Sequence, residues 1–307
     1  MRLIVLFFVG IGLCSCSYYT KKVRQLHLVK AYEVETQGYL EPSGLTQWDG
    51  EFYTVSDKQD KIFKLKFKHD SVELVPIISI RNNRNTKLDF EGITHDEHYF
   101  YLVSERYFKI LKVSRDGKSQ QWLPEDESLR TTGENVGLFQ HKNAYLESIC
   151  YLGGSRFLLG AEREPRGFVE YNMKTNQTKA YQSNDSLYHY AQHRSTDFTG
   201  LSCGSENFVL ERNAYIVSEL KLKHGKFHES RGWSYQHIIE KPELQYQDMK
   251  YGHAEGLVVK GNMVYLILDN NRNPHKYGSK GNNSLLLVMK LLVPKSRYRK
   301  YDDSTSP

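Results

Sequence analysis

Acidic side chains recur in this sequence at fixed offsets from a short repeated phrase, and the offsets gather them into three columns. The phrase appears as Glu41-Pro42-Ser43-Gly44-Leu45, Asp89-Phe90-Glu91-Gly92-Ile93, Tyr145-Leu146-Glu147-Ser148-Ile149, Asp197-Phe198-Thr199-Gly200-Leu201 and His253-Ala254-Glu255-Gly256-Leu257. Three residues before the glycine position stand Glu41, Asp89, Tyr145, Asp197 and His253, and one before it stand Ser43, Glu91, Glu147, Thr199 and Glu255. A third column closes the apolar run that follows each phrase: Asp57, Glu105, Glu162, Glu211 and Asp269. In a strand, positions two apart share a face, so the first two columns are expected to point the same way. Acids brought together lose hydration and repel, so they must take up protons, pair with cations or hold a metal ion. Oxygen-only ligands suit calcium or magnesium rather than zinc, and Glu91, Glu147 and Glu255, with Asp269 or Asn270, are the expected ligands. Arg106, Arg163 and Arg212 directly follow the third column. They offer the other outcomes, which are salt bridges between repeats or a substrate-binding site for a phosphate or carboxylate. His253 stands in the first column and is a candidate for proton transfer, with a hydrogen bond to a neighbouring glutamate as the plainer alternative.

The elements that must position these columns are short strands. Each phrase leads to a second apolar run, such as Tyr53-Thr54-Val55-Ser56 or Tyr101-Leu102-Val103-Ser104, and further strands follow. Phe63, Leu65 and Phe67 alternate with Lys64, Lys66 and Lys68, the period-two pattern of a half-buried sheet. A spacing of roughly 50 residues between short-stranded units marks the blades of a β-propeller, whose innermost strands surround a central channel. The expectation is therefore an all-β, single β-propeller spanning residues 26–293, with five blades favoured and six as the alternative. Too little chain follows Gly256 for a full blade, so Leu26–Tyr32 is expected to supply the missing strand and close the ring.

The N-terminus reads as an export signal. Arg2 precedes the apolar run Leu3–Leu13, too short for a spanning helix, and Leu13-Cys14-Ser15-Cys16 is similar to a bacterial lipobox. Cys16, preceded by small Ser15, is the expected lipidation site; Cys14 follows the bulkier Leu13. Residues 1–15 are then a signal peptide, 16–25 a tether and 294–307 a polar tail. The net charge of +6 is modest, and no basic stripe with interleaved aromatics suggests a nucleic-acid partner. The 22 tyrosines favour strands. Beyond Cys16 only Cys150 and Cys203 remain; strand parity counted from the repeats points them to opposite faces, so free buried thiols are expected. Gly200-Leu201-Ser202-Cys203-Gly204 matches a nucleophile elbow formally, but it coincides with a repeated inner strand and is discounted.

The phrase Asp89–Thr94, followed by Tyr101–Arg106, resembles the phytase-like propellers described as having esterase-like activity. It is also similar to the SdiA-regulated propeller family and, more distantly, to calcium-binding lactonase propellers. The resemblance covers residues 30–293 and departs from the pattern at Ser148, where glycine is expected, and at Ser43 and Thr199, where glutamate is. It implies the fold, and a metal site only as an expectation. Two functions follow as alternatives: a metal-assisted ester or phosphoester hydrolase, with Glu91, Glu147 or His253 activating water, and a non-catalytic propeller binding a small molecule, glycan or protein. Either is expected as a monomer, lipid-anchored at the bacterial cell envelope, with the outer membrane favoured.

Overall fold

The computed structural model describes residues 18–19, 23–36, 40–82, 86–183, 186–189, 195–277 and 281–292. The expected signal peptide, the expected lipidation site Cys16 and the expected 294–307 tail lie outside these residues. Five four-stranded antiparallel units are described, and each opens on one of the repeated phrases. The first runs through Pro42–Trp48, Glu51–Ser56, Gln59–Phe67 and Ser71–Ser79. The second takes Phe90–His95, Tyr99–Ser104, Lys109–Ser114 and Gln120–Leu123, and the third Leu146–Gly153, Arg156–Ala161, Gly167–Asn172 and Gln177–Gln182. The fourth is Phe198–Ser202, Asn207–Glu211, Ile216–Lys223 and Lys226–Ser234. The fifth supplies only Ala254–Lys260, Met263–Leu268 and Ser284–Lys290 from its own stretch of chain. Its fourth strand is His27–Glu35, antiparallel to Ser284–Lys290, as the shortage of chain after Gly256 implied.

Each phrase strand contacts the phrase strand of the next unit, and Ala254–Lys260 contacts Pro42–Trp48, so the five form a closed inner ring. The repeated glycine is what permits that approach. A Cβ on Gly44 would lie 2.8 Å from the Cα of Gly92, and one on Gly256 only 2.6 Å from the backbone nitrogen of Leu45. Around this ring, apolar side chains fill the spaces between adjacent sheets. Tyr101 and Phe157, both fully buried with ring centres 4.5 Å apart, join the second and third units. Full burial of such side chains contributes roughly 1.5–3 kcal/mol each, so the units are held together chiefly through these faces.

The expected tether is partly docked. Val23–Gln25 pairs in parallel with Gly232–Ser234 at the outer edge of the fourth unit, and Val23 packs on Leu187, Tyr188 and Ile216. The expectation for the cysteines is overturned: Cys150 and Cys203 form a disulfide, their Cα atoms 5.5 Å apart. The parity argument failed because Cys203 lies beyond the last paired residue of its strand, Ser202, where alternation no longer governs direction. The bond joins the inner strands of the third and fourth units. At equivalent junctions Thr94 Oγ1 accepts from the Tyr151 N–H at 3.2 Å and Ser202 Oγ from the Val259 N–H at 2.9 Å. The disulfide thus stands where its neighbours use a hydroxyl-to-backbone hydrogen bond.

Candidate functional site

One irregularity, present in all five units, places the acids. The inner strand slips register between Pro42 and Gly44, Phe90 and Gly92, Leu146 and Ser148, Phe198 and Gly200, and Ala254 and Gly256. The residue passed over is always the second-column one: Ser43, Glu91, Glu147, Thr199 or Glu255. A bulge leaves one residue outside the ladder and re-aims its side chain. The shared-face argument therefore gives way: the first column precedes the strand, with Asp89 at a φ of 59°, and the second sits on the bulge.

What the bulge does depends on the residue it carries. Ser43 donates to the Phe90 carbonyl and Thr199 Oγ1 to the Ala254 carbonyl at 2.6 Å, each tying its unit to the next. Glu91, Glu147 and Glu255 carry charge to the same level instead. All three are pushed well above the usual carboxylate range, first by burial; Glu147 is raised further by Glu91, Glu162, Glu105 and Glu255. Glu255 raises both Glu91 and Glu147, and Glu91 raises Glu147, so the three bulge glutamates lie within electrostatic reach of one another. Glu91 and Glu147 still touch water within the channel although protein surrounds them.

Cations neutralise part of this ring. Arg212, largely buried, reaches three units: its Nε lies 2.8 Å from Asp197, Nη2 lies 3.6 Å from Glu162, and Nη1 donates to Glu255. Lys58 bridges Glu41 at 2.7 Å and Asp57, while Lys87 bridges Asp57 at 3.1 Å and Asp89 at 2.6 Å. The acids around Lys58 hold its proton firmly against the opposing effect of burial. Both lysines escaped the sequence reading. Lys58 follows Asp57 as the three arginines follow Glu105, Glu162 and Glu211, so its signal was present; Lys87 has no repeat counterpart.

The remainder is acid-rich. Single carboxylate oxygens of Glu105, Glu147 and Glu162 lie within 4.8 Å of one another, and those of Asp57, Asp89 and Glu91 do likewise. In the first group Glu105 accepts the Tyr145 N–H at 2.9 Å, and burial pushes its carboxyl up. The Glu162 side chain is 3% exposed, and its carboxyl is pushed up to about 7, by burial first and then by Asp197. Its Oε1 takes Arg163 Nε at 3.1 Å, whereas Oε2 has no hydrogen-bond partner among the described residues. A buried carboxylate oxygen without a donor, beside two further carboxylates, fits a hard cation in both charge and donor type.

The expected ligands Glu91, Glu147, Glu255 and Asp269 do not form one set. Glu147 and Glu91 fall in different groups and Glu255 is held by Arg212. Asp269 accepts the Asn271 N–H at 2.8 Å, its carboxyl pushed up to about 7 by burial. The Asn270 amide donates to the Asn273 and Asn282 carbonyls, and its side-chain oxygen accepts from Ser284. Neither nitrogen of His253 faces a glutamate: Nε2 lies 2.8 Å from the Asp248 carbonyl and Nδ1 3.1 Å from that of Asp269. Burial lowers its pKa, and its visible role is to pin the 248 loop to a strand end. Of the three expected substrate-binding arginines, Arg212 is engaged by acids. Arg163 is 42% exposed with one contact to Glu162, and Arg106 is exposed. Ser202 ends a strand that turns back into Asn207–Glu211 rather than into a helix, which rules out a strand-to-helix elbow.

A recess of about 590 Å³ opens beside the acids, lined by Arg163, Asp197, Arg212, Tyr251 and His253 among others. At the other end of the inner strands a hollow of about 570 Å³ is lined by Thr46, Thr94, Ser202 and apolar side chains, with no carboxylate. Carboxylates thus line one mouth and not the other.

No curated protein sequence matches this chain. In structure it is similar to the glutaminyl cyclase of Myxococcus xanthus, with a TM-score of 0.56 and 10% identity over 88% of this chain and 98% of that one. The aldose sugar dehydrogenase of Streptomyces coelicolor, in its PQQ-bound form, gives 0.48 and 9% identity over 87% of this chain and 98% of that one. A luciferin-regenerating enzyme gives 0.48 and 11%, over 87% and 95%. Of these, the likeness to the glutaminyl cyclase speaks for the β-propeller fold, and for the fold alone. The family comparison is more specific: a model described as phytase-like, esterase-like activity of phytase, matches residues 38–272, and the chain belongs to that phytase-like family.

Proposed function

We propose that the chain is a hydrolase of ester or phosphoester bonds that works at the carboxylate mouth with a divalent cation, calcium first, held by Glu105, Glu147 and Glu162. The observation carrying this reading is the partnerless, buried Oε2 of Glu162 within a group of three close carboxylates. Family membership supports it, since the family description names an esterase-like activity. When bound, such an ion supplies Lewis-acid polarisation of the oxygen under attack. The chain's own residues supply the rest. Glu91, an enclosed carboxyl held above the usual range first by burial, is the neighbouring group suited to exchange a proton with the reacting atoms, and half-exposed Arg163 is placed to meet an anionic part of the substrate.

The test is a calcium titration by calorimetry, with hydrolysis of p-nitrophenyl acetate and p-nitrophenyl phosphate followed with and without chelator. Calcium-dependent turnover that Glu147→Gln removes is the expected result. Absence of both binding heat and hydrolysis at millimolar calcium overturns the proposal. A specific observation favours a second reading, a non-catalytic binding propeller: Lys58, Lys87 and Arg212 already neutralise much of the ring. Binding of calcium without turnover of either ester would favour it.

Export and anchoring through Cys16 to the envelope belong to the same proposal. The Cys150–Cys203 disulfide supports export, because such bonds persist in oxidising compartments. Labelled fatty acid should enter the wild-type chain and not Cys16→Ala, and equal labelling of both would overturn the anchor.

A further inference from the structure

We propose that Arg163 and Arg212 are positioning residues that turn Glu162 so that its second carboxylate oxygen is presented to the cation. This rests on the cation site proposed above and extends it to the residues behind the ligand. The main chain of Glu162 is fixed on both sides: its N–H donates to the Tyr145 carbonyl at 2.9 Å, and its own carbonyl accepts the Phe198 N–H at 2.8 Å. The side chain is fixed by the two guanidiniums, and both take the same oxygen. Arg163 Nε lies 3.1 Å from Oε1 and Arg212 Nη2 lies 3.6 Å from it.

An arginine facing a carboxylate commonly takes both oxygens through its planar fork. Here two arginines crowd one oxygen and the other has no donor among the described residues. Because a carboxylate is rigid and planar, holding Oε1 fixes where Oε2 points. Without that hold, repulsion from Glu105 and Glu147 would favour turning Oε2 away from the group. Partners behind a ligand typically account for a ten- to hundred-fold part of metal affinity by such orientation.

A purely electrostatic role predicts the opposite sign. Two positive charges near a cation site repel the cation, so removing one would tighten binding. Arg163 allows the cleaner test because it is 42% exposed and Arg212 remains beside Glu162 when it is replaced. Calcium titration by calorimetry is made on wild type, Arg163→Gln and Arg163→Lys, with each melting temperature recorded without calcium. The expected result is calcium affinity reduced about tenfold in Arg163→Gln, partly restored in Arg163→Lys, at unchanged calcium-free melting temperature. Equal or tighter binding in Arg163→Gln, with wild type binding normally, overturns the positioning role and leaves the cation site standing. Failure of wild type itself to bind calcium overturns both.

Discussion

Two sectors of the same ring use the same residue types and reach different electrostatic states. Across the fourth and fifth units, Asp197 and Glu255 share the guanidinium of Arg212, and Thr199 closes its bulge on a neighbour's carbonyl. Across the second and third, Glu91, Glu105 and Glu147 form no ion pair among the described residues, and only Glu162 meets arginine. The fold is the same in both sectors, including the bulge, so the difference lies in single side chains. A hydroxyl on the bulge and an arginine after the second strand make a structural joint. A glutamate on the bulge with a half-exposed arginine leaves a group of acids that needs a cation or protons. The repeat supplies geometry, and substitution within it decides between binding and bracing.

The most damaging change to the braced sector is Arg212→Gln, which leaves Asp197 and Glu255 buried without their counter-charge. Losing one partner of a buried ion pair costs about 3–5 kcal/mol, so the urea midpoint should fall steeply; a near-silent effect would break the comparison. Glu147→Gln and Glu255→Gln should separate the sectors next. The first should abolish calcium's thermal stabilisation with little change in the calcium-free protein. The second should retain that stabilisation and instead lower baseline stability, as melting curves with and without calcium would show.

The pH dependence follows from the raised carboxyls. Glu162 goes from an ordinary value of 4.5 to about 7 and Asp269 from 3.8 to about 7. The folded chain therefore keeps protons that the unfolded chain releases, and the contribution of these two groups to stability falls as pH rises from about 4 to about 7. Calcium should flatten that fall; melting temperatures across this range in chelator and in calcium check it. The smallest effect is expected for Lys87→Met, since that lysine is 43% exposed and its pairs with Asp57 and Asp89 are partly screened. A loss of roughly 1 kcal/mol or less is expected in urea unfolding.

Much of this was legible in the sequence because repetition multiplies a weak signal. One Glu-Gly step says little, whereas five phrases at similar spacing located all five inner strands, the acidic columns and the missing strand that His27–Glu35 supplies. What stayed hidden depends on departures from regular geometry. Alternation gave the first two columns a common face, but the bulge breaks alternation at that very residue. The same rule separated Cys150 from Cys203, although the second lies past the end of its ladder. Lys87 meets Asp57 of the preceding unit, a contact that only the packing of neighbouring units creates. The cation group likewise mixes a bulge residue of the third unit with strand-end residues of the second and third, which no single repeat displays.

The closing strand carries a consequence for how the chain reaches this state. His27–Glu35 pairs with Ser284–Lys290 on one side and with Ser71–Glu73 of the first unit on the other. A segment that precedes all five units therefore waits for the last of their strands before the ring can shut. Until then the first and fifth sheets can meet only through their inner strands and the outer edge of Ser284–Lys290 has no partner, a state open to pairing with other chains. Contacts spanning nearly the whole sequence make closure a late and slow event on entropic grounds. Moving the N-terminal segment to the end of the chain by circular permutation would make the fifth unit local and should speed refolding, while leaving the carboxylate mouth unchanged.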